Sequence, residues 1–182
     1  MKSVYLAGPD VFRADAGEVA LAHKALCRRC GFEPLHPGDQ PPDATSRDIF
    51  HANIGMIRRA DAVLANLEPF RGPEVDSGTA FEVGFAVALG KLVVGHVGAL
   101  EPLRQRVARL YGEVARHPAS GVWRDRDGQL VEDFGHAVNL MLAESCAAIV
   151  GGGVAGALAW LCARHGLTNE EIIAPAPDRI CA

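Results

Sequence analysis

DAVLANLEPFRGPEVDSGTAFEVGFAVALGKLVVGHV, residues 61–97, decides the fold. DAVLANL is a short apolar run and reads as a buried strand. EPFRGPEV is a loop. A helix spans Ser77 to Leu89, and KLVVGHV is a second buried strand. The helix has an unusual composition. In place of Leu and Ile it carries Gly78, Ala80, Gly84, Ala86 and Gly90, with Glu82 among them. Small residues let something approach the backbone closely, either a packed sheet or a ligand. A carboxylate held in such a gap can act as nucleophile, base or metal ligand. On an exposed face it would be an ordinary solvated acid. Asp76, just ahead of the helix, suits an N-cap, where it accepts backbone N–H bonds and the helix dipole favours its charge.

Working outward, the same unit recurs. SVYLAG is a strand ending in a Gly-Pro turn. Ala16 to Cys30 has helical spacing, with Gly31 suited to the position after its C-cap. FEPLHP is a second strand, GDQPPDATS a polar Pro-rich loop, and SRDIFHANIGMIRRA a second helix. The first hundred residues thus run β-α-β-α-β-α-β. Short apolar strands alternating with helices imply a doubly wound α/β fold, flavodoxin- or Rossmann-like. Its parallel sheet of four or five strands has helices on both faces, followed by a helical C-terminal segment. Ligands in such sheets bind at the carboxyl ends of the strands, here AGPDVF, HPGDQ, NLEPFRGPEVD and HVGAL.

Beyond residue 100 the pattern is less regular. EPLRQRVARLYGEVARH reads as a surface helix, and VWRDRDGQLVED as a hairpin around Asp127-Gly128. AVNLMLAESCAAIV reads as a helix interrupted by three glycines, VAGALAWLCARHG as its continuation up to Gly166, and APAPDRICA as a loose tail. The domain is assigned to 1–150, with 151–182 as a helical extension and tail of the same domain. The small residues of GGGVAGALAWLCARHG suit close contact with a neighbouring subunit.

Composition narrows the function. The 182 residues are 49% hydrophobic and 22% charged, with a net charge of −4. This supports a packed core and argues against a nucleic-acid partner, which needs a basic face. No apolar run reaches the ~18 residues that span a bilayer, and no signal-peptide core precedes the first turn, so the expected location is the cytoplasm, with no membrane partner. Cys27 and Cys30 form a CxxC at a helix end without a second pair for zinc, which leaves them ordinary thiols. No metal is expected, since Glu82 lacks carboxylate or His neighbours at i+3 or i+4. The absence of G-x-G-x-x-G and Walker patterns argues against a phosphate cradle, and no cofactor is expected. What remains is a carboxylate working with Asp76 on a neutral polar ligand, in the manner of the paired carboxylates of retaining glycosidases.

VYLAGPDVF, ADAVLANLEPFRGPEVDSGTAFEVGFAVALGK and VEDFGHAVNLML together resemble the nucleoside 2-deoxyribosyltransferases, over roughly residues 3 to 142. The helix over 101–120 looks like an insertion. The resemblance implies transfer of 2-deoxyribose between nucleobases through a covalent deoxyribosyl-enzyme, with the Glu of D-x-G-x-x-x-E, here Glu82, as nucleophile. Its partners would be a 2′-deoxynucleoside and a free nucleobase, and Gly8 and Gly78 would approach the substrate. Tyr5 would hydrogen-bond Glu82; its plain alternative is a core tyrosine. Asp76 would contact the sugar 5′-OH. A similar sister group that cleaves 5′-monophosphates carries Ser there, so Asp76 favours free nucleosides, because a carboxylate repels a phosphate.

Asn139 and Met141 would reach into a neighbouring subunit's site, which implies a homo-oligomer with shared active sites. The plain alternative for Asn139 is a helix N-cap. Some members carry an Asp where this chain has Asn53, and Asn cannot donate a proton to a leaving base. Asp10, Asp76 or water would then do so. Asp10 and Phe12 are candidates for base recognition, although a lone loop Phe is as often core. A hydrolase using the same intermediate, and a nucleoside-binding protein without turnover, are the rival readings.

Overall fold

The computed structural model describes residues 2–39 and 41–164. Strands β1 (Lys2–Ala7), β2 (Phe32–Leu35), β3 (Ala62–Asn66), β4 (Leu92–His96) and β7 (Ala148–Val150) form one parallel sheet in the order β2-β1-β3-β4-β7. This is the flavodoxin-like order, with its topological switch between β1 and β3. Alternation along each strand sends neighbouring side chains to opposite faces. Val4, Leu6, Leu64 and Val94 pack under α1 (Ala16–Arg29) and α6 (Gly153–Arg164). Tyr5, Ala7, Val63 and Val93 pack under α2 (Ser46–Arg59) and α3 (Ser77–Ala88).

Local signals place the helix ends. Thr45 and Asp48 form a capping box at the start of α2. The Asp76 side chain accepts from Thr79 N at 2.8 Å and caps α3. Gly31 and Gly90, at φ 76° and 68°, take the left-handed conformation that ends α1 and α3.

Three expectations change. The run Ala137–Val150 is not one helix: α5 (Leu140–Ser145) stops at Cys146, which turns extended, and Ala148–Val150 joins the sheet beside β4. A short buried run carries no period that separates strand from helix. Helix α4 (Leu103–Tyr111) is not merely a surface element. Leu103, Val107 and even Arg106 are buried, and the first two pack with Val131 in a separate small core. The cover comes from the loops around a two-stranded ribbon, β5 (Ala115–Arg116) and β6 (Trp123–Arg124). The chain turns at Gly128, φ 79°, where the expected hairpin lies.

The third change concerns the C-terminal segment. Its small residues serve close contact within the chain. A Cβ on Gly156 would stand 2.1 Å from Gly151 O, and Val154, Ala157, Leu158 and Leu161 are buried against this chain's own sheet. Gly166 and the tail lie outside the described residues. Cys27 and Cys30 are free, buried thiols of the core, and burial pushes the Cys27 thiol up to about 12. No helix among the described residues is long and apolar enough to cross a membrane.

Candidate active site

β1 carries Tyr5 to the carboxyl edge of the sheet on the face covered by α3. There Tyr5, fully buried, donates from its hydroxyl to Glu82 Oε1 at 2.6 Å. Asn53, from α2, donates from Nδ2 to the same oxygen at 3.5 Å. Both hydrogen bonds that Glu82 accepts among the described residues therefore fall on Oε1. Glu82 is partly buried, and burial pushes its pKa up to about 7. The Tyr5 hydrogen bond opposes that rise and the Asp76 charge adds to it. Burial, with Glu82 beside it, holds the Tyr5 phenol well above its ordinary value, so it stays a donor.

Glu82 lines a cleft of about 450 Å³ together with Gly8, Phe12, Asn53, Asp76 and Gly78. Six of the expected site residues thus meet in one cavity. Asp76 uses Oδ2 for both Thr79 N and Thr79 Oγ1, at 2.8 and 3.0 Å, so its capping role holds alongside its place at the cleft. Phe12 is 61% exposed, which excludes the core reading, and it stacks on Phe70 at 5.3 Å. Asn53 Oδ1 is buried without a hydrogen-bond partner, an acceptor left for whatever fills the cleft.

The small residues of α3 divide by face. Gly78 lines the cleft, Ala86 packs on the sheet, and Ala80 and Gly84 line a groove on the opposite side of the helix. That groove holds Asn139 and Met141. Asn139 is the N-cap of α5: its Oδ1 accepts from Met141 N at 2.9 Å, and its Nδ2 donates to Glu132 at 2.8 Å. Met141 is 69% exposed. Within one chain neither residue lines the cleft of Glu82. Asp10 does not line it either; its Oδ2 accepts from Asn66 Nδ2 at 3.0 Å.

Two supporting residues escaped the sequence reading. Asn66, at the end of β3, ties the loop after β1 to its own loop by bonding Asp10 and accepting from Glu68 N. It sits so close to Gly8 that a Cβ there would lie 2.7 Å from Asn66 Cβ. His36, just past β2, accepts from Gly38 N at 2.9 Å and fixes the Pro37–Gly38 wall of the cleft. The only sequence signal for either is a polar residue at a strand's carboxyl end. A second cavity, of about 420 Å³, lies by α4. Two of its acids are committed locally, Asp125 to Asp127 N and Gln129 N, Glu132 to Asn139 and Leu140 N. Among the described residues no cluster of His, Cys, Asp and Glu could hold a metal ion.

The nucleoside 2-deoxyribosyltransferase family model matches residues 4–141. The chain belongs to this family. A 2-desoxiribosyltransferase from Leishmania mexicana is 36% identical over 91% of this chain and 99% of its own, with a TM-score of 0.73. An uncharacterized protein of Schizosaccharomyces pombe is 32% identical over 155 residues, 76% of this chain and 74% of that protein. A 2-deoxyribosyltransferase from Bacillus psychrosaccharolyticus, 18% identical, shares the fold at a TM-score of 0.51, over 82% of this chain and 86% of that one. The family takes nucleosides and nucleobases as substrates.

Proposed function

We propose that the protein transfers 2-deoxyribose between nucleobases through a covalent ester on Glu82, with net retention. The observation that carries this is the 2.6 Å hydrogen bond from buried Tyr5 to Glu82, which lines the cleft. Tyr5 and Asn53 hold Oε1, which leaves Oε2 for C1′. Glu82 attacks C1′, the first base leaves, and a second base attacks the ester from the opposite face. Two inversions give retention. Asp76 receives the sugar 5′-OH and disfavours a 5′-phosphate. A protein that only binds nucleosides has no need of a partly buried carboxylate clamped by a buried tyrosine, and that rival loses ground.

The working unit is a homo-oligomer in which Asn139 and Met141 complete a neighbour's site. Support comes from their place in one chain: they lie on the far side of α3 from Glu82, with Met141 exposed.

The test is chromatographic. The protein is incubated with 2′-deoxyinosine alone and with added adenine. Deoxyadenosine formed only with adenine, and little hypoxanthine without it, is the expected result. Hypoxanthine released at one rate in both mixtures would make water the acceptor and the protein a hydrolase.

A further inference from the structure

We infer that Arg71 is the group that receives the departing base, by hydrogen-bonding the N7–O6 edge of a 6-oxopurine as negative charge gathers on it. The inference rests on the base-transfer reading above and addresses a gap in it. No lysine, arginine or histidine lines the cleft among the described residues, Asn53 has no proton to give, Asp10 does not line the cleft, and Asp76 Oδ2 is engaged by Thr79. Cleavage of the C1′–N9 bond sends its electron pair into the purine ring, while an oxygen of Glu82 supplies the pair for the new C1′–O bond. The base therefore leaves as an anion unless something protonates or neutralises it.

The loop after β3 supplies a cation beside Phe12, a residue of the cleft lining. The Pro69–Val75 bridge and the Phe70 N–Glu74 O hydrogen bond, 2.8 Å, close it into a tight turn. Arg71 sits in that turn at φ 57°, the only non-glycine residue at positive φ among the described residues. Such outliers gather at functional sites, where the surrounding structure enforces them. The guanidinium lies over Phe70 at 4.7 Å and over Phe12 at 5.7 Å from the ring centroids. Phe12 in turn stacks on Phe70 and lines the cleft. No ion pair among the described residues uses Arg71. A base against Phe12 would thus share that ring with a guanidinium engaged in no ion pair, whose fork matches the O6/N7 edge. Arg71 keeps its protons throughout, and the free base takes its proton from water after release.

The experiment compares wild type with Arg71→Gly, because glycine accepts the positive φ and preserves the turn. Two donors are used: 2′-deoxyinosine, and 7-methyl-2′-deoxyguanosine, whose base already carries the positive charge and leaves neutral. The variant is expected to lose on the order of 100-fold in kcat/KM on deoxyinosine and to change little on the methylated donor. Equal losses on both donors, or no loss on deoxyinosine, would overturn the role. If wild type refuses only the methylated donor, rescue decides: guanidinium ion restoring the variant's rate on deoxyinosine supports the role, and no recovery overturns it. Wild type inert on both donors, and on pyrimidine donors, would instead sink the base-transfer reading and this inference with it.

Discussion

At the scale of single residues, the Tyr5–Glu82 pair makes two quantitative predictions. Tyr5 stabilises the ionised carboxylate, so Tyr5→Phe removes a hydrogen bond to a charged group worth ~1.5–3 kcal/mol, or about 10- to 100-fold in kcat/KM. It also removes the one influence that lowers the Glu82 pKa. The acid limb of the kcat/KM–pH profile, expected near 7 in wild type, should therefore move upward in the variant. A simple loss of packing would leave the limb in place.

The same pKa appears in stability. The folded value is raised from 4.5 to about 7, so the contribution is fully present below pH 4.5 and is lost as pH rises through 7. Glu82→Gln carries no such penalty. Its stability relative to wild type, from urea unfolding, should improve by up to about 3 kcal/mol between pH 4 and pH 8. A gap that does not change with pH would mean that Glu82 is not desolvated as described.

At the scale of elements, the cap of α3 and the proposed sugar contact share one residue, Asp76. Asp76→Ala should lose ~1 kcal/mol of stability with the cap, in addition to the sugar contact. Asp76→Ser keeps a capping oxygen. It should restore the stability, lower kcat/KM on the free nucleoside, and narrow the preference against the 5′-monophosphate. Thermal unfolding and paired kinetics separate the two roles, and a variant impaired only in stability would deny the sugar contact. Helix α6 is core and not an appendage, so Leu158→Ala should cost about 2–5 kcal/mol in urea unfolding.

These elements also show what the sequence exposed. The β-α-β order and the helix ends were legible because each segment carries its own period and its own caps, such as Asp76 and Gly31. Strand β7 was not, since AAIV is too short to have a period and follows a helix. The burial of Arg106 was not, since its guanidinium donates to the carbonyl of Leu67, 39 residues back in the chain, and nothing local signals that contact. Nothing local pairs Tyr5 with Glu82 across 77 residues; the resemblance did. Asn66 and His36 stayed hidden because a polar residue at a strand's carboxyl end does not say which loop it will bond.

At the scale of the whole molecule, one chain assembles a cleft around Glu82 but keeps Asn139 and Met141 on the far side of α3. Light scattering should therefore find a dimer or larger. Mixing Glu82→Gln with Asn139→Ala subunits should restore some activity that neither variant has alone, because hybrid sites regain both residues. A monomer with full activity would refute shared sites. The central claim is the ester on Glu82. Protein mixed with 2′-deoxyinosine, quenched in acid and digested, should show a peptide containing Glu82 heavier by one deoxyribosyl group. That adduct should fall when adenine is present and be absent from Glu82→Gln. Turnover without the adduct, together with full exchange activity in Glu82→Gln, would contradict the account.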